Sequence, residues 1–113
     1  MKRTSSKALR LKYGKTAAMF IQHIHDLYTA GKCCVSLMKL DGFPEGRYVY
    51  PYPHFTSEEG YTSVHCSNIL KVLRDSDLVV RLHLGKTPLY KLNYSHPEIV
   101  DAGYFEDTLS DSL

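Results

Sequence analysis

Past residue 75 the hydrophobic period of this chain changes, and that change constrains its fold more than any other feature. Upstream, Cys66, Ile69, Leu70 and Leu73 recur at i, i+3, i+4 and i+7, the spacing that gathers apolar groups on one helix face. After Asp75-Ser76-Asp77, the run Leu78–Leu84 alternates with period two, which predicts a strand with Val80, Leu82 and Leu84 on one face. Gly85-Lys86-Thr87-Pro88 supplies a turn, and Leu89–Tyr94 returns as a second alternating strand. A helix that feeds directly into a hairpin is the expected unit.

The preceding chain supplies further helices. Ala17, Phe20, Ile21, Ile24, Leu27 and Tyr28 form a helical stripe over Thr16–Tyr28, with Thr16 as the expected cap and Gly31 as the stop. A shorter helix is expected over Ser6–Tyr13, packing through Ala8, Leu9 and Leu11 and broken by Gly14. Val35–Leu40 and Arg47–Tyr50 read as short strands around the turn formers of 41–46. Pro51 and Pro53 then end any central strand, because proline cannot donate to a ladder. Thr56 or Ser57 is the expected cap of a short helix, with Glu58-Glu59 in its first turn where the helix dipole favours acids, and Gly60 as its stop. Thr62 or Ser63 opens the next helix, Thr62–Arg74.

Hydrophobic residues make up 43% and charged residues 23%, enough for one core in 113 residues and against disorder over most of the length. The net charge of +2 conceals a polarity. Residues 1–15 carry Lys2, Arg3, Lys7, Arg10, Lys12 and Lys15 without an acid, whereas 98–113 carry Glu98, Asp101, Glu106, Asp107 and Asp111 without a base. The expected organisation is a basic arm or short helix (1–14), a folded domain (15–97) and an acidic tail (98–113). The alternatives for the tail are that it stays free, that it docks Tyr104, Phe105 and Leu109 and covers the domain, or that it screens the arm until nucleic acid displaces it. No apolar run is long enough for a membrane span, and the basic start lacks the features of a secretory signal. Three cysteines, two of them adjacent as Cys33-Cys34, suit a reducing cytoplasm better than a disulfide framework.

Helix, short strands, short helix, tight turn, second helix and hairpin is the layout of a winged helix-turn-helix, an α+β fold. The residues resemble winged-helix domains of bacterial and phage type. Thr62 stands at the cap, Cys66 at the first inward position, Leu70 and Leu73 at the leucine pair, and Leu78-Val79 at the start of the wing. The tight left-handed position, usually glycine there, is Asp77. Ala17–His25 also resembles the first helix of the N-terminal winged-helix domains of phage and plasmid replication initiators, as Tyr90-Lys91-Leu92-Asn93 resembles the end of their wing. The likeness covers residues 15–94.

The resemblance implies a DNA-binding transcription regulator or replication accessory. In the Thr62–Arg74 helix, Ser63, Ser67 and Asn68 suit base edges, Val64 a thymine methyl, and Lys71 and Arg74 phosphates. Lys86 and Thr87 at the wing tip, with Arg81 and Lys91 beside it, are expected to follow the backbone, and Lys2, Arg3, Lys7, Arg10 and Lys12 to make phosphate contacts from the arm. The expected partner is double-stranded DNA, bound as a homodimer joined by the Thr16–Tyr28 helix or the tyrosine strand. The rival is a protein-interaction module of the same fold that engages host transcription or replication machinery.

Other chemistries find less support. Tyr48, Tyr50 and Tyr52 alternate and would share one strand face, as half-buried packing, a dimer surface or a base-stacking platform. His23 and His25 point to different helix faces, Cys33-Cys34 lacks the C-x₂-C spacing of zinc sites, and Cys66 reads as a core thiol, so no metal or cofactor is expected. There is no glycine-rich phosphate loop, no G-x-S-x-G and no H-E-x-x-H. Cys34 with His25 is the weak remaining nucleophile pair, and no enzymatic activity is expected.

Overall fold

The computed structural model describes residues 6–37 and 46–105, and opens with two helices separated by one glycine. In α1 (Lys7–Tyr13) the Ser6 hydroxyl accepts from the Leu9 amide at 3.4 Å. Gly14, at φ 95°, ends it in a conformation that a side chain would oppose. Its inward residue is Leu9, while Ala8 and Leu11 face solvent. α2 (Lys15–Ala30) starts at once. Gly14 holds the cap position and offers no side chain, so the expected cap Thr16 lies inside the helix. Gly31 ends α2 in the left-handed region, as expected.

β1 (Cys34–Leu37) and β2 (Gly46–Val49) pair antiparallel, with Cys34 opposite Val49. Residues 38–40 of the first expected strand fall outside the described residues. β2 stops at Val49, ahead of Pro51, so the tyrosine alternation does not continue: Tyr48 is buried, and Tyr52 already belongs to a helical segment. That segment ends in a π-helical turn, His54–Glu58. It begins earlier than the expected Thr56 or Ser57 cap, and the Thr56 hydroxyl instead donates back to the Tyr52 carbonyl at 2.8 Å. Glu58 and Glu59 therefore sit at its end, where the dipole does not favour them, and histidines hold them instead.

α3 (Ser63–Asp75) is capped by Thr62, whose hydroxyl accepts from the His65 amide at 3.1 Å. It buries Cys66, Leu70 and Leu73 and half-buries Ile69. Asp77 takes the left-handed position at φ 61° and turns the chain into β3 (Val79–Leu84) and β4 (Thr87–Leu92). Asn93 closes the root of this hairpin by donating its side-chain amide to the Asp77 carbonyl at 2.9 Å. The four strands lie in the order β1-β2-β4-β3, all antiparallel, with Val49 of β2 opposite Tyr90 of β4.

The inward face of the hairpin differs from expectation. Leu78, Val79, Leu89, Tyr90 and Leu92 are buried, while Val80 is 44% and Leu84 42% exposed. The register puts Val79 on the same face as Tyr90 and Leu92, and that is the face that joins the core, so Val80, Leu82 and Leu84 lie on the opposite face of the edge strand β3.

α4 (Pro97–Asp101) follows, with the His96 ring nitrogen accepting from the Glu98 amide. It buries Ile99. Of the residues expected to dock from the tail, Tyr104 does so, donating its hydroxyl to Gln22 of α2 at 2.6 Å. Phe105 is 62% exposed, and Leu109 lies outside the described residues. The core surrounds α2, which packs against α1, α3, β2 and β4. At its centre Phe20 stacks on Phe55 with ring centroids 3.8 Å apart, and Tyr61 meets Phe20 edge-on. Among the described residues no helix is long and apolar enough to cross a membrane.

Candidate nucleic-acid interface

With Cys66, Leu70 and Leu73 turned inward, the 100° step of a helix places residues 63, 64, 67, 68 and 71 outward. Ser63, Val64, Ser67, Asn68 and Lys71 are all exposed, and Arg74 flanks them half-buried. Every side chain expected to face a base is therefore on one solvent-facing surface. Val64, at 71% exposure, has no fold role that would explain an apolar residue there.

A tyrosine pair supports this face from behind, which the sequence reasoning missed. The Tyr52 hydroxyl is 3.0 Å from Ser67 Oγ, and its ring lies 6.4 Å from that of Tyr90. Burial, with a hydrogen bond to Tyr52, pushes the Tyr90 phenol up to about 12, so it stays protonated at neutral pH. The available signal was Tyr52 itself, since a tyrosine between two prolines at a helix start points away from a strand.

The charged residues divide. Lys86 and Thr87 are exposed at the hairpin tip, Arg81 is exposed on β3, and Lys91 lies with its ammonium 5.5 Å from the Tyr48 ring centroid. Lys71 is bonded to Asp75 at 2.9 Å, and that bond holds the Asp75 carboxyl below its usual range. Lys7 is exposed on α1 and Arg10 is half-buried, whereas Lys12 donates to Glu98 Oε1 at 2.9 Å. Tyr13 donates to the same oxygen at 2.6 Å. These two bonds hold Glu98 below the usual carboxylate range, and the bond to Glu98 raises Lys12 above its own. The basic arm and the acidic tail thus meet through Lys12 and Glu98. Lys2 and Arg3 lie outside the described residues.

A second polar cluster joins α2 to the π turn. The His23 ring nitrogen Nδ1 lies 3.1 Å from His54 Nε2. The Glu59 carboxylate is 3.7 Å from each of the two rings. These three side chains have the donor types and proximity of a metal site. His25 is occupied elsewhere, with Nδ1 2.9 Å from the Tyr94 hydroxyl, and the Cys34 thiol donates to backbone carbonyls of Lys32 and Leu27. Burial pushes the Cys34 and Cys66 thiols up, which makes both poorer nucleophiles.

No protein-family model, curated protein or solved structure matches this chain.

Proposed function

We propose that this chain is a winged-helix DNA-binding protein, a transcription regulator or replication accessory of the cytoplasm, in which α3 enters the major groove and the β3–β4 hairpin is the wing. The observation that carries the proposal is the α3–Asp77–hairpin unit. A helix with a polar, solvent-facing surface passes through a single left-handed residue into an antiparallel hairpin, whose second strand pairs with the strand ahead of the helical turn. That connectivity, with β3 packed on α3, supports a reading in which the helix makes groove contacts and the hairpin makes backbone contacts. Ser63, Ser67 and Asn68 supply donors and acceptors for base edges, and Lys86, Arg81 and Arg74 supply cations for phosphates.

One observation favours the second reading, a protein-interaction module. Val64 and Val72 are exposed on α3, and Asp75 pairs with Lys71, so this helix shows apolar surface beside a neutralised cation. Site selection from random duplexes, followed by binding at 50 and 200 mM salt, separates the two. DNA reading predicts an enriched sequence and an affinity that falls steeply with salt, because phosphate contacts release counterions. Asn68→Ala combined with Lys71→Ala should weaken that binding at least tenfold while leaving thermal stability almost unchanged. A flat salt response with no enriched sequence defeats DNA reading and leaves the interaction module.

A further inference from the structure

The DNA-reading surface makes no use of the cluster formed by His23, His54 and Glu59. We propose that these three residues form a binding site for one divalent transition-metal ion of zinc's type. The inference rests on the cluster alone and stands or falls independently of DNA binding.

The π turn explains why the donors converge. Its hydrogen bonds run from residue i+5 to i, and the Glu59 amide bonds to the His54 carbonyl in that way. The wider turn brings Glu59 over His54, and Glu58, four residues on, also reaches the ring. Glu58 takes the Nδ1 side at 2.6 Å, which leaves Nε2 as the ring nitrogen on the side of His23 and Glu59. A carboxylate behind a ligating imidazole is the usual way such a ring is oriented and made more basic.

The spacing fits an ion. Metal–nitrogen bonds of about 2.0–2.1 Å at tetrahedral angles place two donors about 3.3 Å apart. His23 Nδ1 and His54 Nε2 are 3.1 Å apart, Glu59 is 3.7 Å from His54 Nε2 and 3.7 Å from the other His23 nitrogen, Nε2, and one donor atom from each residue lies within 4.8 Å of the other two, so a turn of the His23 ring or the carboxylate closes the set around an ion. The two histidine side chains are 18% and 13% exposed and Glu59 29%, which leaves an open side for entry and for a fourth, water ligand. Phe55 lies edge-on to both rings, at 5.9 and 5.5 Å, and forms an apolar wall. Two imidazoles with one carboxylate suit a borderline cation better than calcium or magnesium, which favour all-oxygen sites. The bound ion staples the turn preceding α3 to the scaffold helix α2.

The test is calorimetric titration of Zn²⁺ into the full, untagged chain carrying Cys33→Ser and Cys34→Ser, which removes the accessible thiols. One ion per chain is expected, with micromolar or tighter affinity. His23→Gln and His54→Gln should each weaken it at least tenfold, and Zn²⁺ should raise the Tm of the parent but not of His54→Gln. Co²⁺ should give the visible bands of a four-coordinate nitrogen–oxygen site without thiolate charge transfer. Where a histidine variant fails to fold, Glu59→Gln decides: tenfold weaker binding supports the site and unchanged binding overturns it. Loss of all binding in the serine background, or binding indifferent to both histidines, also overturns it.

Discussion

α2 and α3 carry the same apolar spacing, yet the fold uses them in opposite ways. α2 buries nine of its 16 residues and has neighbours on several sides, whereas α3 buries three of 13 and leaves a broad polar face to solvent. A stripe at i, i+3, i+4, i+7 shows that a helix has an inside, and the width of the stripe shows whether it also has an outside. The comparison has a direct consequence for stability. Phe20 of α2 is fully buried and stacked on Phe55, so Phe20→Ala should cost about 3–5 kcal/mol in denaturant unfolding, from lost transfer energy and the cavity left behind. Val64→Ala on the outer face of α3 should stay within about 0.5 kcal/mol of the parent. Similar losses from both would mean that α3's outer face is packed, and the contrast would fail.

The two helices also start differently. α2 begins on Gly14 without a side-chain cap, because packing along its length holds it in place. α3 has fewer packed residues and depends more on Thr62, whose hydroxyl satisfies an amide that no preceding turn can reach. Thr62→Ala should therefore cost about 1 kcal/mol, read as a lower denaturation midpoint with an unchanged slope. Thr16→Ala, at the residue that looked like the α2 cap, should change stability by less than about 0.5 kcal/mol. If Thr16→Ala proved the more costly change, the account of how each helix is held would be reversed.

Features governed by near neighbours were legible in the sequence. The α2 and α3 stripes, the Thr62 cap and the Gly31 stop each follow from rules acting within a few residues, and the left-handed Asp77 came from the winged-helix resemblance. The outward set Ser63, Val64, Ser67, Asn68 and Lys71 followed from the same periodicity. What escaped depends on contacts between distant segments. The inward face of β3 and β4 depends on which strand becomes the edge, and local alternation does not determine that. The π turn arises where Pro51, Pro53 and the packing of Phe55 set the chain's path, against a propensity that placed the helix cap at Thr56 or Ser57. His23 and His54 are 31 residues apart and Tyr52 and Ser67 are 15 apart, so no spacing rule links either pair.

α1 and α4, near the chain ends, meet through a third kind of contact, polar and at the surface. Lys12 and Tyr13 of α1 reach Glu98 of α4 across more than eighty residues of sequence. The Lys12 side chain is 60% exposed, so solvent screens the pair and its effect should be the smallest of those considered. Its direction is nevertheless determined. The Tyr13 and Lys12 bonds lower the Glu98 pKa in the folded state, so Glu98 binds its proton less readily there than in the unfolded chain. The stability it contributes is present above the ordinary value of 4.5 and is lost as pH falls through the lower, folded value. Glu98→Gln should lower Tm slightly and equally from pH 7 to pH 5, and the difference from the parent should shrink below pH 4.5 and vanish once Glu98 is protonated. Added salt should narrow the same gap at pH 7, as expected for an exposed pair. A gap that persisted undiminished into acid would show that Glu98 acts by packing rather than by charge, and that α1 and α4 are held together as α2 is.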